Sequence, residues 1–323
     1  MPEKLAIGID FGGTKILAGV VNVETGQLIG TGKKKTRQPH EQNDVIERIA
    51  SVVDEAIAES GVDRKKISAL GIGAAGMVNR QKGILLNAVN LGLQELPLTA
   101  PLSERYGIPA KLGNDVEVAT LGELHFGAGR NCNNFLCVFV GTGIGGGIVF
   151  DGKQYRGATG TAGEIGHIVI EPDGRLCGCG GHGCLEAYAS RTAVAKDVVA
   201  DLHRGLDSMV RDKVDMTKGI LRSKSLSQAV QANDEVVTRA ITNAAKYMGT
   251  GLATAVNLLN PQRIIMGGGL IEAVELYFEV AAREARYKGL RIATKKIEIV
   301  KAELGDYAGI IGAALLNAKD KGE

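Results

Sequence analysis

Apolar runs separated by short polar turns predict that the chain begins with three β-strands. These strands cover residues 5–10, 16–23 and 27–36, and turn-forming residues bound them. Apolar residues then recur at helical spacing from residue 43 to residue 60, and Gly61 marks the end of that pattern. The opening of the chain therefore predicts three strands followed by one long amphipathic helix.

A further apolar run leads to two polar residues at a junction between elements. Residues 67–75 predict a buried strand, and residues 111–113 end a short strand that precedes a predicted helix at 115–126. Asn114 and Asp115 consequently lie at a strand-to-helix junction. Such junctions commonly contact ligands in α/β proteins.

The opening pattern recurs from residue 135. A strand at 135–140 is followed by a glycine-rich turn at 141–147, a returning strand at 148–150 and a turn at Asp151–Gly152 that leads into another strand. Both halves of the chain thus open with strand, glycine turn, strand, turn and strand. This recurrence predicts two α/β halves with a cleft between them.

The remainder of the chain predicts helices that alternate with strands. Residues 204–225 are charged and poorly periodic, so we expect this segment to be the most mobile part of the chain. Strands are predicted at 263–266 and 296–303, and helices at 187–202, 234–259, 270–285 and 309–318.

Length, composition and charge narrow the range of functions. The 323 residues, 45% of them hydrophobic, are enough for two domains of ordinary size. A net charge of +2 gives no electrostatic footprint for nucleic acid. The most apolar uncharged stretch, 135–150, is too short to span a membrane. Lys4 and Asp10 interrupt any apolar start, so we expect no secretory signal and a reducing, cytoplasmic location.

Three cysteines and a histidine in the second half have the spacing of a metal site. Tetrahedral Zn²⁺ takes four nitrogen or sulfur ligands, and the intervening glycines would let the loop wrap a small ion. A reducing compartment favours a metal over a disulfide. Unpaired thiols, one disulfide with a free thiol, and His182 in place of the first histidine are the alternatives. The candidate zinc ligands are His167, Cys177, Cys179 and Cys184.

Two acidic residues, Glu164 and Glu186, flank this loop. Hard carboxylates suit zinc less well than thiolates do, so both are available for another role. The loop would then present two carboxylates and an imidazole, which indicates a site for a polar small molecule. In the alternative interpretation both are ordinary surface carboxylates.

Glycine-rich turns follow three of the predicted strands. The first two suit phosphate because glycine lets main-chain N–H groups approach the oxygens without a Cβ in the way, although each alone is equally compatible with a hairpin. The third would pass close to a nucleotide, or serve as a tight strand-to-helix turn. Asp10 is a candidate for holding Mg²⁺ through water, or a turn-capping carboxylate. The candidate nucleotide-binding residues are Asp10, Gly12, Gly13, Thr14, Lys15, Gly141, Thr142, Gly143, Gly267, Gly268 and Gly269.

Taken together and in order, these motifs resemble the ROK family (repressors, open reading frames and sugar kinases) over nearly the whole chain. The resemblance implies a two-domain α/β fold of the actin-like, hexokinase-type ATPase class, with ribonuclease H-like halves. It also implies ATP with Mg²⁺, and a sugar in the cleft between the domains. We expect an N-terminal domain at 1–117, completed by a C-terminal helix at 307–323, and a larger domain with the zinc loop at 118–306.

The resemblance also implies roles for individual residues. Asp115 would be the general base that acts on the sugar hydroxyl, and a helix N-cap is its alternative role. If zinc binds one ring nitrogen of His167, the other is left as a donor to a sugar oxygen. The implied sugar-binding residues are Asn114, Asp115, Glu164, His167 and Glu186.

The implied function is the ATP-dependent phosphorylation of a hexose. Glucose is the expected substrate because residues 73–78 and 87–97 look most like those of the family's glucokinases. The sequence departs from the family pattern at Ala75, where proline is frequent, at Leu93, where tryptophan is frequent, and at Val116–Glu117. A kinase for mannose, fructose or N-acetylmannosamine is the alternative.

Two other classes of protein fit the sequence less well. A sugar-responsive transcriptional repressor carries an N-terminal helix-turn-helix, for which a first strand at 5–10 leaves no room. A non-catalytic sugar-binding protein would need neither Asp115 nor the phosphate turns. We therefore expect a hexose and ATP as partners, no nucleic acid and no membrane, and a homo-oligomer, either a dimer or a tetramer.

Overall fold

The computed structural model describes residues 4–36, 42–88, 91–217 and 219–317. Its contacts divide the chain into two compact units. Unit 1 comprises Met1–Arg130 together with Asp306–Glu323, and unit 2 comprises Asn131–Gly305. The division falls after the helix at Asp115–Phe126, whereas a boundary between residues 117 and 118 would cut through that helix.

The strands of both units are mostly short and largely buried. Those of unit 1 are β1 (Leu5–Phe11), β2 (Lys15–Asn22), β3 (Leu28–Lys35), β4 (Ile67–Ala74), β5 (Met77–Asn79), β6 (Ile84–Ala88), β7 (Leu93–Pro97) and β8 (Ala110–Asn114). Those of unit 2 are β9 (Phe135–Val140), β10 (Ile144–Phe150), β11 (Lys153–Tyr155), β12 (Arg263–Gly267) and β13 (Glu298–Lys301).

Helices are interspersed with strands after the opening three strands of each unit. They are α1 (Gln42–Ser60), α2 (Thr99–Tyr106), α3 (Asp115–Phe126), α4 (Glu186–Ala189), α5 (Arg191–His203), α6 (Ser223–Gln231), α7 (Glu235–Leu259), α8 (Gly269–Ala273), α9 (Glu275–Lys288), α10 (Arg291–Thr294) and α11 (Ala308–Leu315). Among the helices of the described residues, none is both long and apolar enough to cross a membrane.

The two main sheets have the same strand arrangement. The first runs in the order β3-β2-β1-β4-β8 and the second in the order β11-β10-β9-β12-β13. In each, the first two strands of the unit pair antiparallel, and the strands on the other side of the sheet run parallel. The predicted recurrence of two α/β halves is thereby confirmed. A small antiparallel sheet, β5-β6-β7, is added to unit 1.

The predicted long helix of unit 1 is confirmed, and its register follows from its apolar spacing. Val45, Ile49, Val52, Val53 and Ala56 are buried on one side of α1. These positions recur at intervals of three and four residues, the spacing that brings side chains onto one helical face.

The glycine-rich turn predicted at 141–147 is wrong in its length. Strand β10 already begins at Ile144, so only residues 141–143 form the turn. Gly145, Gly146 and Gly147 pair with β9 in register. A Cβ at Gly146 would lie 2.5 Å from the carbonyl oxygen of Gly163, so close packing against a neighbouring segment explains this glycine.

Two helices predicted as continuous are interrupted. The helix predicted at 187–202 breaks at Ser190, which is extended (φ −73°, ψ 163°) and caps α5 by accepting a hydrogen bond from Ala193 N. The helix predicted at 270–285 breaks at Val274, which is also extended. Serine is a favoured N-cap because its hydroxyl satisfies a main-chain N–H that the first turn leaves unpaired.

Several elements fall where none was predicted. These are β5, β6, β7 and α2 between residues 77 and 106, the short helix α10, and α6, which begins inside the segment expected to be mobile. That segment also contains a 3₁₀ turn at Arg211–Lys213 and an isolated bridge between Asp215 and Ile220. Of the segments used above, residues 37–41, 89–90, 218 and 318–323 lie outside the described residues.

Helix α11 packs on unit 1 at backbone-to-backbone distance. A Cβ at Gly8 of β1 would lie 1.8 Å from the carbonyl oxygen of Ile310. One at Gly71 of β4 would lie 1.7 Å from that of Ala313. On the opposite side of the helix, a Cβ at Gly312 would lie 1.7 Å from the carbonyl oxygen of Val118 in α3. Glycines in three elements thus let α11 sit between the sheet and α3.

Candidate active site

Polar residues gather at one edge of the unit 1 sheet. Strands β1, β4 and β8 run parallel, with Asp10 beside Gly73 and Ala74 beside Asn114 in the ladder. Asp10 lies at the carboxyl end of β1, and Asn114 with the first residue of α3 lies at the carboxyl end of β8, on the two sides of β4. This edge is where ligands bind in open α/β sheets.

Asn114 is the N-cap of α3, with the extended backbone that a cap requires. Its Oδ1 accepts hydrogen bonds from Val116 N at 2.9 Å and Glu117 N at 3.3 Å. Its Nδ2 donates to the carbonyl oxygen of Gly76 at 3.1 Å. The side-chain amide of Asn114 thus serves mainly to cap the helix. Only the second N–H of Nδ2 is left to donate a hydrogen bond to a ligand.

Asp115 is the first residue inside α3, so the cap is Asn114 and not Asp115. Its Oδ1 accepts from Val116 N at 3.0 Å, which orients the carboxylate at the start of the helix. Acidic side chains are favoured in the first turn of a helix because the helix dipole is positive at its N-terminus. The structure therefore presents Asp115 as an oriented carboxylate at the sheet edge.

Glu117 and Arg80 support this junction, and the sequence analysis did not identify either as functional. Glu117 is buried, and its carboxylate completes a capping box by accepting from Asn114 N. Arg80, which follows β5, forms an ion pair with the same carboxylate. The only sequence signal was that Val116–Glu117 departs from the family pattern.

Asp10 lies in an environment that disfavours its charge. Burial, together with the negative charge of Asp115, raises the pKa of Asp10 to about 7, while Lys15 opposes the shift and Asp306 adds to it. The ammonium of Lys15 is 2.5 Å from Asp306 Oδ1. A cation bound beside Asp10 would restore its charge, as expected of a carboxylate that serves a metal–nucleotide complex.

The turn after β1 is closed by its own backbone. Gly12 N donates to the carbonyl oxygen of Lys15 at 3.1 Å, and Thr36 Oγ1 donates to the carbonyl oxygen of Gly12 at 2.8 Å. Gly13 and Thr14 form the tip, and Thr14 accepts a hydrogen bond from Thr36 N. The predicted phosphate turn is thus a tight connection between β1 and β2.

The other two glycine turns lie at one edge of the unit 2 sheet. Strands β9 and β12 are parallel, and Gly267 pairs beside Phe139. The turn Gly141–Thr142–Gly143 follows β9, and Gly267–Gly268–Gly269 ends β12 and begins α8. Gly268 has φ +92°, and a Cβ there would lie 2.7 Å from the carbonyl oxygen of Val140. Only glycine fits this close approach between the two turns.

The four predicted zinc ligands come together in unit 2. The nitrogen or sulfur atoms that His167, Cys177, Cys179 and Cys184 offer all lie within 4.8 Å of one another. Cys177 Sγ is 3.8 Å from His167 Nδ1, and Cys179 Sγ is 3.7 Å from Cys184 Sγ. A tetrahedron with Zn–S bonds of ~2.3 Å has edges of about 3.8 Å. The cluster therefore has the size of a zinc site.

Two of the alternatives for this loop fit the structure less well. No disulfide joins any of the five cysteines, which argues against one disulfide with a free thiol. His182 lies apart, with Nδ1 3.0 Å from the carbonyl oxygen of Gly174. Burial raises the pKa of Cys177 to about 12, so a bound cation would be needed to hold this sulfur as a thiolate.

Glu186 connects the cysteine loop to the glycine turn after β9. Its Oε2 accepts from Ile144 N at 2.8 Å, and its Oε1 is 3.7 Å from Cys177 Sγ. A Cβ at Gly143 would lie 2.3 Å from Oε2, so the glycine makes room for the carboxylate. Glu164, by contrast, is exposed just before the 3₁₀ turn Ile165–His167.

The predicted site residues thus form one group at the sheet edge of unit 1 and others in unit 2. Asp10, Asn114 and Asp115 belong to the first group. Unit 2 contains the cysteine loop with Glu164, His167 and Glu186, and the glycine turns after β9 and β12. Arg191, beside the turn after β9, was not identified from the sequence because a lone arginine at a helix start carries no distinctive signal.

Comparisons with known proteins identify the family and similar structures. The sequence model of the ROK family matches residues 6–320. A glucokinase of Streptomyces coelicolor is 36% identical over 318 residues, which cover 96% of either chain. The crystal structure of a ROK family glucokinase from Streptomyces griseus in complex with glucose and AMPPNP superposes with a TM-score of 0.83. That structure is 34% identical in sequence, with 96% of this chain and 98% of the other covered.

Repressors are also among the similar proteins. The xylose repressor of Caldicellulosiruptor bescii is 27% identical over 314 residues, which cover 97% of this chain and 78% of the repressor. The similarity to the repressor is weaker and leaves a larger part of the other protein unmatched.

Proposed function

This chain belongs to the ROK family, and we propose that the protein is a glucokinase that transfers the γ-phosphoryl group of ATP to glucose, giving glucose 6-phosphate. The observation that carries the proposal is the placement of Asp10 and Asp115 at the carboxyl ends of the parallel strands of unit 1, close enough for their charges to interact. Phosphoryl transfer needs a carboxylate for the acceptor hydroxyl and another for the metal–nucleotide complex.

Asp115 acts as the general base in this proposal. As the bond between the sugar oxygen and the γ-phosphorus forms and the bond from that phosphorus to the departing ADP breaks, the carboxylate accepts the hydroxyl proton. This contribution is typically worth about 10²–10⁴-fold in rate. The hydrogen bond from Val116 N holds Oδ1, which keeps the carboxylate in one orientation. Positioning of this kind is the main contribution of a kinase active site.

ATP binds through the three glycine turns in this proposal. Main-chain N–H groups at the turn tips, Gly13–Thr14 and Thr142–Gly143, contact the phosphates, and 267–269 lies against the nucleoside. Asp10 holds the Mg²⁺ that accompanies ATP, through water. Magnesium supplies neutralisation of the charge that develops on the phosphoryl oxygens.

Glucose is bound by hydroxyl-accepting and hydroxyl-donating side chains. Asn114 and Asp115 provide an amide N–H and the base, and Glu164 and Glu186 provide carboxylates. His167 donates through Nε2, because Nδ1 faces the cysteine sulfurs. The Cys₃His cluster holds one structural Zn²⁺, which fixes the ring of His167 and thereby its donor.

Enzymatic function is favoured over transcriptional repression by the strength of the comparisons. The glucokinase relatives are 31–36% identical and are covered over nearly their whole length, whereas the xylose repressor relatives are 27–31% identical and are covered over 78% of theirs. The cytoplasmic location and the assembly into a dimer or a tetramer, expected from the sequence, remain predictions.

A panel of sugars tests this function directly. ADP formation is measured with MgATP and glucose, mannose, fructose or N-acetylmannosamine, and glucose is expected to give a kcat/KM at least about tenfold above the others. Polyphosphate is tried in place of ATP with the best sugar. A higher kcat/KM for another sugar would replace glucose as the substrate. ADP formation with none of the four would refute kinase activity on these hexoses.

A further inference from the structure

Arg191 begins α5 and places its guanidinium beside the glycine turn that follows β9. Nη2 donates to Thr142 Oγ1 at 2.7 Å, and Nη1 lies 3.4 Å from Ser223 Oγ at the start of α6. A guanidinium has five N–H donors. These two contacts leave three of them for a ligand.

The charge of Arg191 has no acidic partner among the described residues. Its side-chain hydrogen bonds go to two hydroxyl groups, and desolvation is the one influence on its pKa, which it lowers. Three other arginines of unit 2, Arg175, Arg239 and Arg263, each form an ion pair with a carboxylate. A partly buried cation without a counter-charge is costly, and a bound anion would offset that cost.

The surroundings of this guanidinium are built from both glycine turns of unit 2. Arg191 N donates to the carbonyl oxygen of Gly141 at 3.0 Å, so the main chain of Arg191 is also bonded to the turn after β9. Thr192 Oγ1 donates to the carbonyl oxygen of Thr142 at 2.7 Å. Ser223 Oγ is the nearest atom to a Cβ built at Gly269, at 3.9 Å. Arg191 therefore spans the space between the turn at 141–143 and the turn at 267–269.

We propose that Arg191 binds the phosphate chain of the nucleotide, with its guanidinium held ready by Thr142 and Ser223; this inference rests on the proposed function. The planar fork of a guanidinium matches two phosphate oxygens at once, which an ammonium group cannot do. The ligand class is a linear chain of phosphates, as in a nucleoside triphosphate or an inorganic polyphosphate. The three remaining N–H donors and the N–H groups of the glycine turn face the same ligand.

Substitution of Arg191 tests the inference in kinetics and in binding. Arg191→Met is expected to raise KM for ATP by about 10- to 100-fold, the loss typical of charge-assisted hydrogen bonds. KM for glucose should change less than about twofold, because the substitution removes no contact with glucose. The KM for ATP of Arg191→Lys should lie between those of the wild type and Arg191→Met. Lysine keeps the positive charge but cannot bind two phosphate oxygens with a planar guanidinium.

Calorimetry with three probes separates phosphate binding from a general distortion. MgADP and tripolyphosphate should bind Arg191→Met at least about tenfold more weakly than the wild type, and adenosine equally well. Weaker binding of both MgADP and tripolyphosphate would show that Arg191 contacts the phosphate chain. Weaker binding of MgADP alone, or weaker binding of adenosine as well, would overturn the inference. Arg263→Met is the matched control. It removes an ion-paired arginine at the opposite end of β12 and should change none of the three affinities.

Folding and the proposed function are controlled separately. Circular dichroism and thermal unfolding establish that each variant is folded, and Ser223→Ala offers a milder change that should weaken MgADP binding in the same direction. Unchanged MgADP affinity in folded Arg191→Met would overturn the inference even if the wild type phosphorylates glucose. Conversely, a wild type that binds MgADP through Arg191 but phosphorylates no sugar would refute the proposed function alone.

Discussion

Arg80 donates a hydrogen bond from Nε to Glu117 Oε2 at 2.7 Å, and the same oxygen accepts from Asn114 N at 3.2 Å. A buried carboxylate thus joins an arginine of one segment to the residue that caps α3. Because Asp115 follows that cap directly, the ion pair fixes the start of the helix from which the proposed base projects. Arg80 and Glu117 are in this sense positioning residues, since they act through Asn114 and Asp115.

We predict that Glu117→Gln lowers kcat by about tenfold while KM for glucose changes little. Loss of the charge weakens the contact with Arg80, and a base that is misplaced by a fraction of an ångström loses transition-state stabilisation. Steady-state kinetics give both constants. A double-mutant cycle with Arg80→Met should show that the two effects are not additive. Independent, additive losses would argue against the pair acting together on Asp115.

The second prediction concerns the base itself. Asp115→Asn should lower kcat by at least about 10²-fold and leave glucose binding largely intact. The substituted amide can still accept the hydrogen bond from Val116 N through its oxygen, so the start of α3 is preserved. Single-turnover kinetics at saturating ATP and glucose provide the measurement. A variant that keeps near-wild-type kcat would remove Asp115 from this role.

The third prediction is one zinc per chain, held by the Cys₃His cluster. Cys179→Ser should lose the metal, lower thermal stability, and raise KM for glucose more than KM for ATP, because His167 is oriented by the same ion. Elemental analysis of purified protein measures the metal. Cys132→Ser, at a buried thiol outside the cluster, is the control and should keep its zinc. Equal zinc in both variants would disprove the ligand set.

The fourth prediction is a pH dependence that arises from Asp10. The folded protein retains the proton of Asp10 up to about pH 7, whereas an unfolded chain releases it near pH 4. Between these values the folded state binds more protons, so this residue lowers the free energy of unfolding as the pH rises, and the loss is complete above about pH 7. Asp10→Asn should therefore gain stability relative to the wild type as the pH rises from 5 to 8.

Denaturant unfolding without nucleotide at pH 5, 6.5 and 8 measures this difference. We expect the gain of Asp10→Asn between pH 5 and pH 8 to exceed ~1 kcal/mol, since each unit of pKa shift corresponds to about 1.4 kcal/mol. A difference that stays constant with pH would mean that Asp10 titrates normally. Addition of MgATP should reduce the pH dependence of the wild type, because a bound cation restores the carboxylate.

The parts of the fold that could be predicted are those whose signal is local. Helix α1 has an uninterrupted apolar stripe, and strands β1 and β2 are continuous apolar runs. The cysteine loop was predictable because thiol spacing alone limits the chemistry. In each case the prediction depends only on residues that are close together in the sequence.

The remainder depends on contacts between residues far apart in the sequence. Gly146 looks like part of a turn until Gly163 is placed against it. Ser190 reads as helix interior, and only its geometry makes it a cap. The role of Arg191 depends on Ser223, which lies 32 residues further along the chain. No local pattern could have brought these pairs together.

The packing of α11 has a consequence for the order in which the protein is made. Strands β1 and β4 leave the ribosome early, but the helix that covers their glycines, from Ala308 to Leu315, is synthesised only after all of unit 2. Unit 2 is continuous in sequence and can complete its core during translation. Until α11 is made, the face of the unit 1 sheet that contains Gly8 and Gly71 stays uncovered, so unit 1 can complete its core only at the end of synthesis.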